Sequence, residues 1–275
     1  MTILEASSVT KTYTKGGFFS RAESVPVLRG VDMKVEEGEC VGLVGRSGSG
    51  KSTLGRLLLG LESPDTGTVS ILDKPVVKKM GRLQLSREQR RGVQVVFQDA
   101  IGSVNPRFTA RSIIAEPLRN FEKLCSAEIN ERVDELLLSV GLKSEDATKT
   151  PARFSGGQLQ RISIARALAA QPRCIVLDEA VSSLDMLAQA KILDLLDELR
   201  VKKGVSYLFV THDLRLVNRF CDRAVLMEEG QLHVFDHTAH KTESKLPILQ
   251  QLSAALLPAS PLVESGTDKP QADVV

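Results

Sequence analysis

One glycine-rich segment carries the residue types that bind a polyphosphate. Its glycines allow consecutive backbone N–H groups to point at a phosphate, and the lysine and hydroxyl that follow suit the β- and γ-phosphates and Mg²⁺. The segment fits the Walker A pattern G-x-x-x-x-G-K-S/T and consists of Gly45, Arg46, Ser47, Gly48, Ser49, Gly50, Lys51, Ser52 and Thr53. We therefore expect these nine residues to bind a nucleoside triphosphate, with Lys51 on its phosphates and Ser52 on the metal ion.

Two adjacent carboxylates later in the chain can complete such a site. The apolar run 175–177 predicts a strand, and Asp178 and Glu179 follow it directly. A phosphate-loop site needs an acidic residue opposite Ser52 in the Mg²⁺ shell, and Asp178 suits that role. Glu179 is then placed to act as the general base on the attacking water. The alternative interpretation is that both acids only cap the helix that follows.

A second candidate anion site lies at the start of a predicted helix. Free N–H groups, a hydroxyl and the positive end of a helix dipole point the same way there. The residues are Ser155, Gly156, Gly157 and Gln158. Two phosphate cradles in one chain make sense if the second one contacts a nucleotide held by another subunit.

The order of the predicted elements indicates an α/β fold. Alternating apolar and polar residues predict antiparallel strands at 3–13 and 27–35, joined by a hairpin with Gly16-Gly17 at its tip. Further strands are predicted at 40–44, 68–72, 93–97, 174–177, 205–210, 224–227 and 231–235, and helices at 54–61, 111–141, 158–170, 186–201 and 214–220. Such alternation is typical of a parallel sheet covered by helices. The stretch from about 100 to 160 has helical periodicity and no predicted strand, so we expect an inserted helical subdomain there.

Composition excludes several classes of protein. The 275 residues are 42% hydrophobic and 25% charged, and a net charge of +2 gives no basic footprint for nucleic acid. No apolar run approaches the ~18 residues that cross a bilayer, and residues 1–25 lack the apolar core of a signal peptide. We therefore expect a cytoplasmic chain that reaches a membrane only through partners. The four cysteines are scattered, which favours reduced, buried thiols.

The segment from Phe154 to Gln158, together with four shorter motifs, resembles the sequences of ATP-binding cassette (ABC) proteins. Their signature usually begins with Leu, and Phe154 stands in that place here. The other matches are Tyr13 for the A-loop aromatic, Gln98 for the Q-loop, Asp185 for the D-loop and His212 for the switch histidine. A second departure is Ala180-Val181, where cassettes usually carry Pro-Thr. Taken singly, Tyr13 could be a strand aromatic, Gln98 a surface amide and His212 a neighbour of a helix cap.

The resemblance implies a fold and a set of roles. The fold would be a P-loop NTPase core with a parallel sheet, an N-terminal antiparallel β-subdomain and an inserted α-helical subdomain. Tyr13 would stack on adenine, Gln98 would join the Mg²⁺ and water shell to the helical subdomain, and His212 would lie beside the γ-phosphate. With Glu179, Gln98 and His212 form the predicted catalytic set, while Asp185 joins the nucleotide-binding residues. Ser52, Gln98 and Asp178 form the predicted metal set.

The resemblance also implies partners. Two cassettes would bind two ATP molecules head to tail, so that each phosphate loop faces Ser155 and Gly157 of the other cassette. The second cassette would be a paralogous subunit or another copy of this chain. Separate transmembrane permeases and, indirectly, a substrate-binding protein outside the membrane would complete an importer. The chain would then be a peripheral protein on the cytoplasmic face of the cell membrane.

The segments 99–107 and 114–118 resemble the peptide/nickel importer branch of the family. Within that branch, 177–182 and 211–217 are similar to the nickel-import cassettes. The resemblance thus implies an ATPase that drives nickel uptake. Oligopeptides or a nickel or cobalt chelate are alternative cargoes, and a soluble cassette protein outside transport is a more distant one. Oligopeptide cassettes often end in a cysteine motif, and here no cysteine follows Cys221.

The chain is expected to divide into a cassette over 1–235 and a C-terminal extension over 236–275. Residues 258–275 are rich in Pro, Ser and Asp and are expected to be disordered. His233, His237 and His240 fall close together near Asp236, and imidazoles at such spacing suit Ni²⁺ or Zn²⁺. A polar surface turn is the alternative interpretation of these histidines.

Overall fold

Twelve strands and seven α-helices make up the part of the chain that the structure, a computed structural model, describes: residues 1–15, 23–79 and 82–235. The strands are β1 (Thr2–Lys15), β2 (Glu23–Glu36), β3 (Cys40–Val44), β4 (Thr66–Ile71), β5 (Lys74–Pro75), β6 (Val77–Lys79), β7 (Arg82–Gln84), β8 (Val93–Phe97), β9 (Cys174–Asp178), β10 (Ser206–Thr211), β11 (Arg223–Glu228) and β12 (Gln231–Phe235). The helices are α1 (Lys51–Leu58), α2 (Arg87–Gly92), α3 (Ala110–Phe121), α4 (Ser126–Ser139), α5 (Gly156–Ala169), α6 (Met186–Lys203) and α7 (Leu214–Phe220). Short 3₁₀ turns follow α4, at Ser144–Thr148 and Pro151–Arg153.

The central sheet has six strands in the order β12-β11-β3-β10-β9-β8. Neighbours from β11 to β8 run parallel, and β12 closes one edge as an antiparallel hairpin with β11. Every residue of β3 and β10 is buried. Parallel strands covered on both faces need such continuous apolar runs, which explains why the sequence predicts them well. The predicted α/β core with a parallel sheet is confirmed.

A second, antiparallel sheet has the order β2-β1-β4-β5 and carries the N-terminal strands. Alternate residues of β2 are buried, as expected for a sheet with one face on the core. Helix α1 packs between the two sheets, and its Leu54, Leu57 and Leu58 are fully buried in a cluster that includes Ile3 and Val176. Each such leucine contributes about 2 kcal/mol by leaving water. The two sheets and α1 therefore share one apolar core.

Between β8 and β9 the described chain contains helices and turns and no strand. Helices α3, α4 and α5 pack against one another in this stretch. The sequence-based expectation of one helical region over 111–141 differs in detail, because the chain leaves the helix after Phe121 and restarts at Ser126. The N–H of Cys125 donates to Glu128 Oε2 (2.7 Å) at that restart.

Some expectations fall outside the described residues. These include the hairpin tip Gly16-Gly17, the extension 236–275, and Asp236, His237 and His240 of the candidate metal site; His233 lies on β12 opposite Leu226. The described ranges contain no group of three or more His, Cys, Asp or Glu side chains close enough together to hold a metal ion. Cys40, Cys174 and Cys221 are buried as predicted, whereas Cys125 is exposed.

None of the helices found in the described ranges has both the length and the apolar character of a membrane span.

Candidate nucleotide-binding site

Four chain segments that carry predicted site residues reach the same edge of the central sheet. The glycine-rich loop follows β3, His212 follows β10, Asp178 ends β9 and Gln98 follows β8. The register places Thr211 beside Val44, and both Val210 and Phe97 beside Asp178. Because the carboxyl ends of parallel strands meet at the same edge, four separate chain segments deliver their side chains to one place.

The loop between β3 and α1 depends on glycine at two positions for packing. A Cβ on Gly45 would lie 2.4 Å from the carbonyl oxygen of Met227, and a Cβ on Gly50 would lie 3.0 Å from that of Val27. Gly50 also has a φ of 115°, in the region that side chains disfavour, and it is the N-cap residue directly before α1. The loop is thus pressed against two backbone segments, and its free N–H groups lie at the N-terminus of α1, where an anion is favoured.

Lys51 is folded back onto the loop. Its Nζ donates to the carbonyl oxygens of Gly45 (2.8 Å) and Arg46 (2.9 Å), and the residue is only 5% exposed. Burial lowers the pKa of this ammonium group, while the charges of Glu179 and Asp178 raise it. The loop therefore holds a desolvated cation, which suits a polyphosphate.

Ser49 Oγ, within the same loop, is buried and has no hydrogen-bond partner among the described residues.

Asp178 and Ser52 offer the oxygen ligands that Mg²⁺ prefers. Burial raises the pKa of the Asp178 carboxyl, the charge of Glu179 raises it further, and Lys51 and Arg56 oppose both effects. A divalent cation beside this carboxylate would stabilise its charged form. The donor set at the end of β9 therefore fits a magnesium ion.

We expect Asp178→Asn to raise the melting temperature of the ligand-free protein at pH 7. The pKa of the Asp178 carboxyl is higher in the folded chain than in the unfolded chain, where it is about 3.9. Such a carboxyl destabilises the fold when the pH lies above both pKa values. The destabilisation disappears when the pH falls below the pKa of the unfolded chain. Thermal unfolding in the presence of a chelator should show the largest gain at pH 7 and a shrinking gain toward pH 4. Asp73→Asn, at an exposed aspartate, is the matched control. If the wild-type chain were more stable than Asp178→Asn at pH 7, the Asp178 carboxylate would not destabilise the fold, and this prediction would be contradicted.

Glu179 is placed by a strained backbone. Its φ is +50°, a left-handed conformation that costs a non-glycine residue about 1–2 kcal/mol. The main chain compensates, because its N–H donates to Val210 (3.0 Å) and its carbonyl accepts from the N–H (3.1 Å) and hydroxyl (2.9 Å) of Ser182. The side chain remains free of these bonds, and its Oε2 lies 3.7 Å from Nδ1 of His212. The carboxylate and imidazole thus face each other at the sheet edge.

A cavity of about 300 Å³ connects the loop to the antiparallel sheet. Its lining consists of Tyr13, Val27, Ser47, Gly48, Gly50, Lys51, Ser52, Thr53 and Glu179. The structure therefore brings Tyr13 to the Walker A residues and to Glu179 from more than thirty residues away in sequence. Val27 was not predicted as a site residue, since within a strand pattern nothing distinguishes it from other core-facing valines.

Other predicted residues lie outside this lining. Gln98 is exposed directly after β8, and His212 presents more than half of its side chain to solvent. The carbonyl of Phe97, next to Gln98, accepts from Nε2 of the buried Gln160 on α5 (3.4 Å). This bond ties the segment at Gln98 to the helix that begins with the second anion cradle.

The second candidate cradle lies at the start of α5, and none of its residues lines the cavity in the described chain. Ser155 caps α5, with Oγ accepting from the N–H of Gln158 (3.3 Å) and the amide oxygen of Gln158 accepting from the N–H of Ser155 (3.0 Å). Ser155, Gly156 and Gln158 are exposed, and Gly157 is half-buried. A Cβ on Gly157 would touch Ala188 at 3.7 Å, so the cradle adjoins the first turn of α6, which Asp185 caps with Oδ1 (2.9 Å to the N–H of Ala188).

Comparison with known proteins identifies the family. The sequence model of the ABC transporter family matches residues 28–182. The chain is 47% identical to the nickel import ATP-binding protein NikE of Rhodospirillum rubrum over 266 residues, which cover 97% of this chain and 95% of the relative. It is 44% identical to the Escherichia coli protein of the same name over 269 residues, 98% of this chain and 100% of the relative.

Solved structures agree with the sequences. The dimeric cassette MJ0796 bound to ADP and Pi superposes with a TM-score of 0.72 at 31% identity, over 85% of this chain and 99% of that one. CbiO1 from Clostridium perfringens, part of the ABC transporter complex cbiONQ, gives a TM-score of 0.72 at 28% identity, over 85% and 87% of the two chains. Sequence, fold and site geometry thus agree, and the chain belongs to the ABC transporter family.

Proposed function

We propose that this chain is the ATP-hydrolysing subunit of a multi-subunit ABC importer that takes up nickel. The observation that carries the proposal is the 44–47% identity, over nearly the whole length of both chains, to two proteins named as nickel import ATP-binding proteins. The cavity supports the nucleotide part of the proposal, because it joins an aromatic side chain, a phosphate loop and a carboxylate.

ATP binds in the cavity with its base toward Tyr13 and its phosphates on the loop from Gly45 to Thr53. Lys51 exchanges one or both of its carbonyl contacts for phosphate oxygens, which lie at the N-terminus of α1. Ser52, Asp178 and Gln98 would hold Mg²⁺, which would neutralise charge on the phosphate oxygens.

Glu179 takes the proton from the attacking water. Its side chain makes none of the bonds that fix its backbone, so the carboxylate is free to point at the water while the strained turn holds its Cα. His212, 3.7 Å from the carboxylate, lies where it can contact the γ-phosphate or the same water. Hydrolysis then breaks the bond between the γ-phosphorus and the bridging oxygen, giving ADP and inorganic phosphate.

The second cradle acts on the nucleotide of another cassette. Ser155, Gly156 and Gln158 are exposed at the start of α5, and no residue of the cradle lines the cavity in the described chain. Two cassettes arranged head to tail place each cradle over the partner's phosphates, and Asp185 beside it joins the same interface. Transport would then follow from closing and opening this dimer.

The remaining partners are two transmembrane permeases and, through them, a substrate-binding protein. The chain works at the cytoplasmic face of the membrane as a peripheral subunit. The second cassette is either a paralogous subunit or another copy of this chain.

Nickel uptake by whole cells tests the cargo. In a strain that lacks other nickel transporters and this gene, trace radiolabelled nickel should enter only when the gene is restored together with its permeases. Nickel entry that does not depend on the gene would contradict the nickel assignment. The same strains tested with labelled oligopeptides and with nickel and cobalt chelates would then identify the cargo.

A further inference from the structure

Tyr13, the aromatic wall of the cavity, is held by side-chain contacts besides the strand that carries it. Its hydroxyl donates to Oε2 of Glu62 at 2.5 Å. The ammonium group of Lys11 lies 5.5 Å from the centre of its ring, within the range of a cation–π contact. Glu62 follows α1 and the turn after it, 49 residues away in sequence, so no local pattern predicts this pairing.

Glu62 also connects to the phosphate loop. Its Oε1 accepts from Nε of Arg56 at 2.5 Å, and Nη2 of the same arginine lies 3.3 Å from the hydroxyl of Thr53 and 3.4 Å from that of Tyr13. Arg56 and Thr53 both belong to α1. A continuous row of hydrogen bonds thus runs from the aromatic ring through Glu62 and Arg56 to the last residue of the Walker A segment.

This row joins two different sheets. Tyr13 lies near the end of β1 in the antiparallel sheet, whereas the phosphate loop follows β3 in the central sheet. Without such a link, only the end of β1 would determine the distance and angle between the ring of Tyr13 and the phosphate loop. Glu62 is suited to the link because, although burial raises the pKa of its carboxyl, the hydrogen bonds from Tyr13 and Arg56 and the charges of Arg56 and Lys11 together lower it. The group is therefore an ionised acceptor at neutral pH, and such bonds are the stronger kind.

We propose that Glu62 is a positioning residue for the nucleotide base: it fixes the ring of Tyr13 against the cavity and ties that ring to the phosphate loop through Arg56. The proposal rests on the nucleotide-binding function proposed above. A ring ordered before the ligand arrives loses less freedom on binding, so the benefit appears in affinity for ligands that carry a base. A ligand with phosphates and no base gains nothing from it.

Titration calorimetry of the full chain with two probes, MgATP and magnesium tripolyphosphate, tests this difference. Tyr13→Phe keeps the ring and removes its hydroxyl, and Glu62→Ala removes the acceptor. Each is expected to raise the Kd for MgATP about fivefold, the size of one ordinary net hydrogen bond. The Kd for tripolyphosphate should stay within about twofold of the wild-type value. Glu198→Ala, on the exposed face of α6, controls for the loss of a carboxylate.

The double variant Tyr13→Phe/Glu62→Ala separates the link from two independent effects. If Glu62 acts through the tyrosine hydroxyl, the double variant binds MgATP about as weakly as either single variant. Multiplied losses, of about 25-fold, would overturn the proposal. Equal weakening of MgATP and tripolyphosphate would overturn it too, because that result indicates general damage to the loop.

The outcomes also separate this inference from the proposed function. A wild-type chain that binds MgATP, with single variants that bind it equally well, contradicts the role of Glu62 and leaves the ATPase proposal standing. A wild-type chain that fails to bind MgATP contradicts both. Circular dichroism melts of all variants confirm that the compared proteins are folded.

Discussion

Replacing Glu179 by glutamine is expected to lower the rate of ATP hydrolysis by the assembled transporter by about 10²–10⁴-fold. Glutamine has the same shape and still hydrogen-bonds to water, but it cannot take a proton. The backbone at this position is held by main-chain bonds to Val210 and Ser182 and by no bond from the side chain, so the turn should keep its geometry. Affinity for MgATP should therefore remain near the wild-type value.

Phosphate release and uptake of radiolabelled nickel, measured on the same preparation or strain, check this expectation. Both should fall together, while calorimetry shows MgATP still bound. Glu198→Gln, at an exposed carboxylate on α6, should behave as the wild type. A Glu179→Gln transporter that hydrolyses ATP at near the normal rate would assign the base to another group, and His212, 3.7 Å away, would be the first to test.

The strands β3, β9 and β10, which lead to Glu179 and its neighbours, were predictable because nearly all of their residues are buried. The bounds expected for β3, β8, β12 and α7 match the structure, the expected β9 ends one residue early, and the expected β10 begins and ends one residue early. A covered parallel strand needs an uninterrupted apolar run, and the run stops where the chain reaches the site. The end of the run therefore marks the sheet edge where chemistry is placed.

Short elements at the surface were missed for the opposite reason. Strands β5, β6 and β7 have two or three residues each, too few to show a period. Helix α2 did carry a usable signal: Ser86 and Gln89 form a capping box, with Ser86 Oγ accepting from the N–H of Gln89 (3.1 Å) and the reverse bond at 2.8 Å. A search for capping boxes would have found that helix.

Contacts between distant segments were predictable only where a shared chemical role requires them. The Walker A loop, Asp178 and Glu179 could be joined in advance because their roles require each other. No chemical role requires a bond between Tyr13 and Glu62, and no sequence pattern around either residue predicts the other as its partner. The same holds for Gln160 and the carbonyl of Phe97, which join α5 to the segment at Gln98. Such links follow from packing, which only the folded chain shows.

Lys51→Met is expected to weaken MgATP binding by about 10²-fold. The ammonium group is already desolvated at the loop and donates to two carbonyls, so its exchange onto phosphate oxygens gains charge-assisted bonds without a further burial cost. Two such bonds at about 1.5 kcal/mol each, the lower end of the usual range for bonds to charged groups, account for a loss of this size. Methionine is close in length and fills the same space without the charge.

The fold should tolerate this change better than the ligand does. Removal of a buried cation relieves a desolvation cost, while two loop carbonyls lose their donor, so the free energy of unfolding should change by only about 1 kcal/mol. Calorimetry for the Kd and thermal unfolding without ligand measure the two effects separately. Lys202→Met, at an exposed lysine on α6, controls for the loss of charge. If Lys51→Met bound MgATP as tightly as the wild type, the phosphates would have to lie elsewhere than on this loop, and the cavity beside Tyr13 would need another ligand.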